Sequence, residues 1–297
     1  MMASGRNDLD FYNVGFAGLF IGLAVLISWL LSLSLGVPLI VSSVRCLVQL
    51  QLLRLVLGPV FEQDDQPGLV LLATTVQLLL SAWEVSNRRS AHKGTYGRIF
   101  VAMLITVVPI SIVASRFAMG EEVWWKPDRY IPMLGMILGN SISALSIGTS
   151  HAIDLASTSS SRDKIEVLLA HGATPTEACR TFFSESLRLA MLPTINQMSI
   201  VGLISIPGMM TGAILGGESV DQAALLQTVI LFIISGASGL CSLVAISLTY
   251  ASLFDAHGRL MPQQPASKGS WNVVQSFKSC WAERKRTRQR GPIHLEA

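Results

Sequence analysis

The chain has 297 residues, of which 51% are hydrophobic and only 14% charged, and its mean hydropathy is +0.51. A soluble domain of this size carries about a quarter charged residues, so the composition excludes an ordinary soluble globule and points to the bilayer. The net charge of +3, with much of the basic excess gathered beyond Asp255, excludes a broad nucleic-acid surface and describes a basic tail. Cys46, Cys179, Cys241 and Cys280 fall at wide, unpatterned spacings and read as buried thiols rather than a disulfide framework or a metal cluster.

Hydrocarbon about 30 Å thick offers no water to backbone groups, so each crossing needs about 20 mostly apolar helical residues. Stretches meeting that rule run over 13–35, 38–58, 68–86, 98–118, 130–150, 191–216 and 224–254. The fold class is therefore all-α, an integral multi-pass membrane protein of about seven transmembrane helices. A tail at 1–12 precedes the membrane domain at 13–254, and a basic tail fills 255–297. The first apolar stretch lacks a basic leader and an Ala-x-Ala site and is too long for a signal sequence, so it is expected to remain in the mature protein. Gly36-Val37-Pro38 is the expected turn between the first two spans.

Cytoplasmic loops near helix ends are enriched in Lys and Arg. The loop Phe61-Glu62-Gln63-Asp64-Asp65 has no base, whereas the next carries Arg88, Arg89, Lys93 and Arg98 without an acid. Residues 119–129 are mixed, with Trp124 and Trp125 as an interfacial anchor, and 151–190 carry Arg162, Lys164, Arg180 and Arg188. The 217–222 loop is acidic and the tail basic, so the alternation predicts an outside N-terminus and a cytoplasmic C-terminus. In the tail, Trp271, Val274, Phe277 and Trp281 at three- and four-residue spacing precede a basic run, which fits an amphipathic helix on the anionic leaflet or a solvated tail.

No enzymatic constellation emerges: the chain has no Gly-x-Ser-x-Gly, no His-Glu-x-x-His and no Gly-Lys-Ser/Thr. His151 and Asp154 share a helix face, which is an interfacial polar pair and too few ligands for a metal site. No metal ligand set is assigned.

The segment 155–190 is the most structured signal. Residues 164–170 are helical in composition and His171-Gly172 ends them as a glycine cap. A helix then restarts, with Thr174 as N-cap, Pro175 at its first position and Glu177 closing a capping box. The result is a rigid elbow leading into the sixth span, suited to pass force from a soluble partner into the membrane.

Glu166, Ala170 and Gly172 resemble the Glu-Ala-Ala loop of ABC-transporter permeases, although Leu192-Pro193 falls later after the glycine than in that family. Residues 192–217, from Leu192-Pro193 through Ile206-Pro207-Gly208-Met209-Met210 to Gly216-Gly217, are similar to the signature of the FetB-type iron-export permeases, a family that includes plant aluminium-tolerance permeases. Arg45 with Gln49-Leu50, Ala82-Trp83, the run Ile131–Asn140, Gly172-Ala173-Thr174-Pro175 and Arg188 also fit, so the resemblance covers about residues 40–255. It implies a non-enzymatic permease subunit that pairs with a second copy of itself. It also implies two separate ATPase subunits that bind the ATP, since this chain binds no cofactor, and a role in metal export or metal tolerance. Glu166, Ala170, Gly172, Ala173, Thr174, Pro175 and Glu177 would then form the ATPase-coupling surface.

Pro207 removes a backbone donor and Gly208 loosens the chain, so the sixth span is expected to break at Pro207-Gly208. Broken membrane helices line cavities, which places Asn196, Gln197, Pro207, Gly208, Met209 and Met210 on a transport pathway, joined by Gln49 and Asn140. Met209 and Met210 read as adaptable packing beside the break ahead of soft ligands, and Asn140 as a pathway group or an interhelical hydrogen bond. Gly135, Gly139 and Ser143 recur every fourth residue and predict close helix approach. Arg45, Gln49, Gln51 and Arg54 give the second span its polar content, with Glu84 or Glu185 as candidate partners for Arg45. A seven-helix receptor and an ion-coupled secondary transporter are the alternatives. The first expects an outer ligand lid and the second an acid at mid-span, and neither feature occurs in the assigned segments.

Overall fold

A computed structural model describes residues 11–33, 35–62, 67–88, 94–120, 123 and 125–255. The basic tail from 256 onward, including Trp271, Trp281 and Cys280, lies outside these residues, as do Arg89, Lys93 and Trp124. Among the described residues there is no strand, only an isolated bridge between Val201 and Ser205.

The chain divides into two units. In the first, α1 (Phe11–Leu30) and α2 (Gly36–Glu62) form a hairpin. Its turn begins at Leu31 and Ser32, earlier than the expected Gly36-Val37-Pro38, because the Ser28 hydroxyl accepts from Leu35 N at 3.0 Å and Leu33 N donates to Ser28 O at 2.9 Å. Pro38 then falls in the first turn of α2, where its missing N–H leaves no partner wanting.

The second unit contains α3 (Pro67–Arg88), α4 (Thr95–Val113), α5 (Pro127–Ser157), α6 (Ser159–Ala170), α7 (Pro175–Ile200), α8 (Gly208–Leu215) and α9 (Val220–Ala251). Residues Ala114–Ala118 continue α4 in π-helical winding beyond Pro109. Helix α5 is the centre, packed along α3, α7 and α9, while α4 lies against α3 and α9. Its side toward these neighbours is mostly apolar: Met133, Leu134, Ile137 and Leu145 are fully buried, with Ser141 covered among them. Gly148 makes the closest helix approach, since a Cβ there would stand 2.8 Å from both Ala190 Cβ of α7 and Ile246 Cδ1 of α9. The Tyr130 hydroxyl, buried at the start of α5, bonds to Ser111 Oγ of α4 at 3.0 Å.

Among the described residues six helices are long and apolar enough to cross a membrane: Tyr12–Leu30, Gly36–Leu55, Pro67–Asn87, Thr95–Ala118, Pro127–Leu155 and Val220–Ala251. The seventh expected span, 191–216, is not one helix. It consists of the end of α7, an unwound stretch over residues 201–207, and the two turns of α8.

Candidate functional site

Local chemistry shapes the elbow that joins α5 to α7. Thr158, with ψ 128°, ends α5 and starts α6. Gly172 adopts φ +90°, the left-handed conformation that reverses the chain after α6 at little cost only for glycine. Ala173 N returns to Leu168 O at 3.1 Å and Gly172 N to Leu169 O at 3.0 Å. Thr174 then caps α7. Its hydroxyl accepts from Glu177 N at 3.4 Å, while Thr174 N and Oγ1 donate to Glu177 Oε2 at 2.9 and 2.7 Å. Those bonds hold the Glu177 carboxyl below its ordinary value, the backbone donor being the larger cause. Pro175 occupies the first turn, so the expected capping box and its proline are both present.

Inward, the elbow is anchored. Ile165 of α6, Ala178 and Cys179 of α7, Ala152 of α5 and Tyr250 of α9 share one buried cluster, with Leu169, Phe182 and Phe183 packed on it. Burial pushes the Cys179 thiol up to about 11. A polar chain crosses the three long helices just above: His151 Nδ1 lies 3.2 Å from Ser186 Oγ, which lies 3.2 Å from Tyr250 OH. Glu185 Oε1 is 3.8 Å from His151 Nε2, so His151 looks to α7 rather than only to Asp154 on its own helix. Sequence gave no sign of this relay, because its members stand 35 and 64 residues apart.

Outward, the elbow is bare. Glu166, Ala170, Gly172, Thr174 and Glu177 are exposed and Ala173 and Pro175 half-buried. Val167 and Leu168, both apolar, are 55% and 44% exposed on this surface. A cavity of about 400 Å³ opens between the first turns of α7 and the end of α9, lined by Pro175, Arg180, Phe183, Tyr250 and Phe254 among others. The base of α7 is therefore packed against α5, α6 and Tyr250 of α9, with the cavity opening beside that last contact.

At the other end of α7 the helix breaks earlier than expected. It stops at Ile200, Gly202 takes φ +90°, and a tight turn closes with Gly202 N to Ser205 O at 3.0 Å and Ser205 N to Ile200 O at 3.3 Å. Pro207 ends this turn and caps α8 instead of starting the break. Leu203, Ile204 and Ile206 project from it at 91%, 82% and 70% exposure. Met209 and Met210 are half-buried on α8, and Asn196 and Gln197 are exposed on the last turn of α7. Asn140 is half-buried and donates to Met136 O at 3.0 Å, while Gln49 is exposed on α2 in the other unit. At Gly135 and Gly139 no atom of the same chain comes within 4 Å of a built Cβ, whereas Gly148 makes a close approach within the chain.

The family described as "Uncharacterised protein family (UPF0014)" matches residues 11–254. Among curated proteins, the UPF0014 membrane protein YjkA of Bacillus subtilis (strain 168) is 28% identical over 85% of this chain and 98% of its own length. The "Probable iron export permease protein FetB" of Escherichia coli (strain K12) is 27% identical over 86% of this chain and 96% of its own. "Protein ALUMINUM SENSITIVE 3" of Arabidopsis thaliana is 30% identical over 78% and 83%. No solved structure matches the chain.

Proposed function

We propose that this chain, which belongs to the uncharacterised protein family UPF0014, is the membrane-spanning permease subunit of an ABC transporter. Two copies work with two ATPase subunits encoded separately, and the elbow lies on the cytoplasmic side. The cargo is a metal such as iron, or a species whose movement confers metal tolerance, in line with the names of the bacterial and plant relatives. The chain itself catalyses no reaction; ATP is bound and hydrolysed on the partner.

The observation that carries this reading is the elbow. Its outer surface is exposed and partly apolar at Val167 and Leu168, which is costly for a face that meets only water. Its inner surface is fixed by Ile165 and the Thr174 cap to a 26-residue helix that ends at the break. A push on α6 is therefore delivered to the base of α7 through the Ile165 cluster and the Thr174 cap, and runs toward residues 201–207 along a helix that carries Pro193 in its interior. The capped start of α7 prevents fraying, and the cavity toward α9 leaves space for its base to tilt. Purifying the chain from native membranes under mild detergent, with mass spectrometry of retained proteins, tests the assignment. A nucleotide-binding ATPase is the expected companion, and its absence would refute the proposal.

A further inference from the structure

Ser141 and Ser146 on α5 and Ser238 and Ser242 on α9 carry buried hydroxyls with no hydrogen-bond partner. Ser141, Ser238 and Ser242 are entirely covered. Other hydroxyls on the same helices bond the carbonyl four residues back, as Thr149 does to Leu145 at 2.6 Å, Ser247 to Leu243 at 2.7 Å and Thr249 to Ala245 at 2.8 Å. The orphans are therefore not the ordinary habit of hydroxyls in apolar helices, and a buried donor left unpaired is destabilising.

The helix register gathers them. Gly148 of α5 meets Ile246 of α9, and His151 reaches Tyr250 through Ser186, so α5 and α9 run in the same direction. At about 1.5 Å per residue, Ser141 lies about 10 Å before Gly148, and Ser238 and Ser242 lie about 12 and 6 Å before Ile246. Ser141 and Ser238 thus sit at one depth near the middle of their spans, with Ser242 about one turn nearer the His151 end. Between the two α9 serines, the buried Cys241 thiol meets the Thr106 hydroxyl of α4. Asn140 neighbours Ser141, and Gln197 on α7 reaches a similar depth, about 10 Å beyond Ala190, which also meets Gly148. The seam is shut by close contacts: Gly148 against Ala190 and Ile246, and Gly239 of α9 against Met191, whose Cε would lie 3.4 Å from a Cβ there. Two of these contacts are to α7, the helix the elbow moves.

We propose that the α5–α9 seam at this depth is a translocation lining in its closed state, a proposal that rests on the permease reading. Its hydroxyls lack partners when the seam is closed and gain them when α7 withdraws and water and cargo enter. The chemistry selects the cargo class. Hydroxyls carry no charge, and among the described residues no three His, Cys, Asp or Glu side chains come together to hold a bare cation. A hydrated or chelated species, presenting hydrogen-bonding groups instead of a naked ion, fits such a lining.

The test places Ser141→Cys or Ser238→Cys in a chain whose four native cysteines are alanine, in membranes from cells expressing the full complex. The probe is a permanently charged methanethiosulfonate, applied with and without Mg-ATP. Ile230→Cys, fully buried on α9 in an apolar setting, is the reference. Labelling of both serine positions about tenfold or more faster than Ile230→Cys is expected, because an open minor state admits water to the seam alone. Equal labelling would overturn the proposal. Fast labelling that ignores ATP would uphold the seam while counting against the ATPase partnership, so the two claims fail separately. Independently, Ser238→Ala with Ser242→Ala should raise the melting midpoint of the resting chain; a lower midpoint would mean that these hydroxyls are already satisfied and would also overturn it.

Discussion

Replacing Gly148 by alanine adds one methyl group at the point where three helices meet. That methyl would stand 2.8 Å from Ala190 Cβ and 2.8 Å from Ile246 Cδ1. The isoleucine tip can rotate aside, but Ala190 Cβ is fixed to its backbone and moves only if α7 moves. Overpacking of this kind costs about 1–3 kcal/mol, whereas exchanging glycine for alanine within a helix returns about 1 kcal/mol. The net expectation for Gly148→Ala is a loss of about 0–2 kcal/mol, and Gly148→Val, with two further methyls and a smaller helical gain, loses about 3 kcal/mol or more. Gly139→Ala meets no atom within 4 Å in the chain and should keep the whole helical gain. Thermal melting in detergent, followed by loss of the monodisperse chromatographic peak, compares the three. The order Gly139→Ala, Gly148→Ala, Gly148→Val from most to least stable is expected, with about 2–4 °C per kcal/mol for a body of this size. A Gly148→Val chain as stable as the parent would refute the three-helix contact.

Because hydrogen bonds from Thr174 hold the Glu177 carboxyl low, the cap is at full strength above the ordinary value of 4.5 and is lost as pH falls through the lowered one; amide exchange at the start of α7 should accelerate only in that acid range. Ser186→Ala removes a group that serves both His151 and Tyr250 and should cost about 1–3 kcal/mol, whereas Tyr250→Phe breaks one bond of the pair and should cost about 1 kcal/mol in the same melting assay. With Cys179 as the sole cysteine, alkylation should rise about tenfold per pH unit from 7 to 9, since its thiol is pushed up to about 11; a plateau below pH 9 would contradict that burial.

The elbow was the most legible part of the chain because its signals are local. Thr174, Pro175 and Glu177 specify a helix start through their own backbone, and Gly172 a helix end, without help from distant residues. The break was only half legible. Pro207 is a helix breaker by its chemistry, yet the chain departs from helix at Gly202, whose left-handed turn is stabilised by Ser205, and Pro207 begins the next helix. Small-residue spacing is a weaker guide for a related reason. The repeat Gly135, Gly139, Ser143 marks a smooth helix face but not what covers it, and the contact fell on Gly148, outside the repeat. The His151–Ser186–Tyr250 relay and the unpaired serines depend on three helices being set in register, and no local pattern announces that.

The central claim is that the outer face of the elbow is the seat of an ATPase. It is tested most directly by quantifying the ATPase retained by the wild-type chain and by Gly172→Asp, with Gly139→Ala as a control remote from the elbow. Asp tolerates the left-handed conformation better than most residues, so the chain should still reach the membrane, but it places charge and bulk on the proposed seat. Retention by wild type and Gly139→Ala with loss in Gly172→Asp is the predicted result; equal retention in all three, or none in any, would contradict the account.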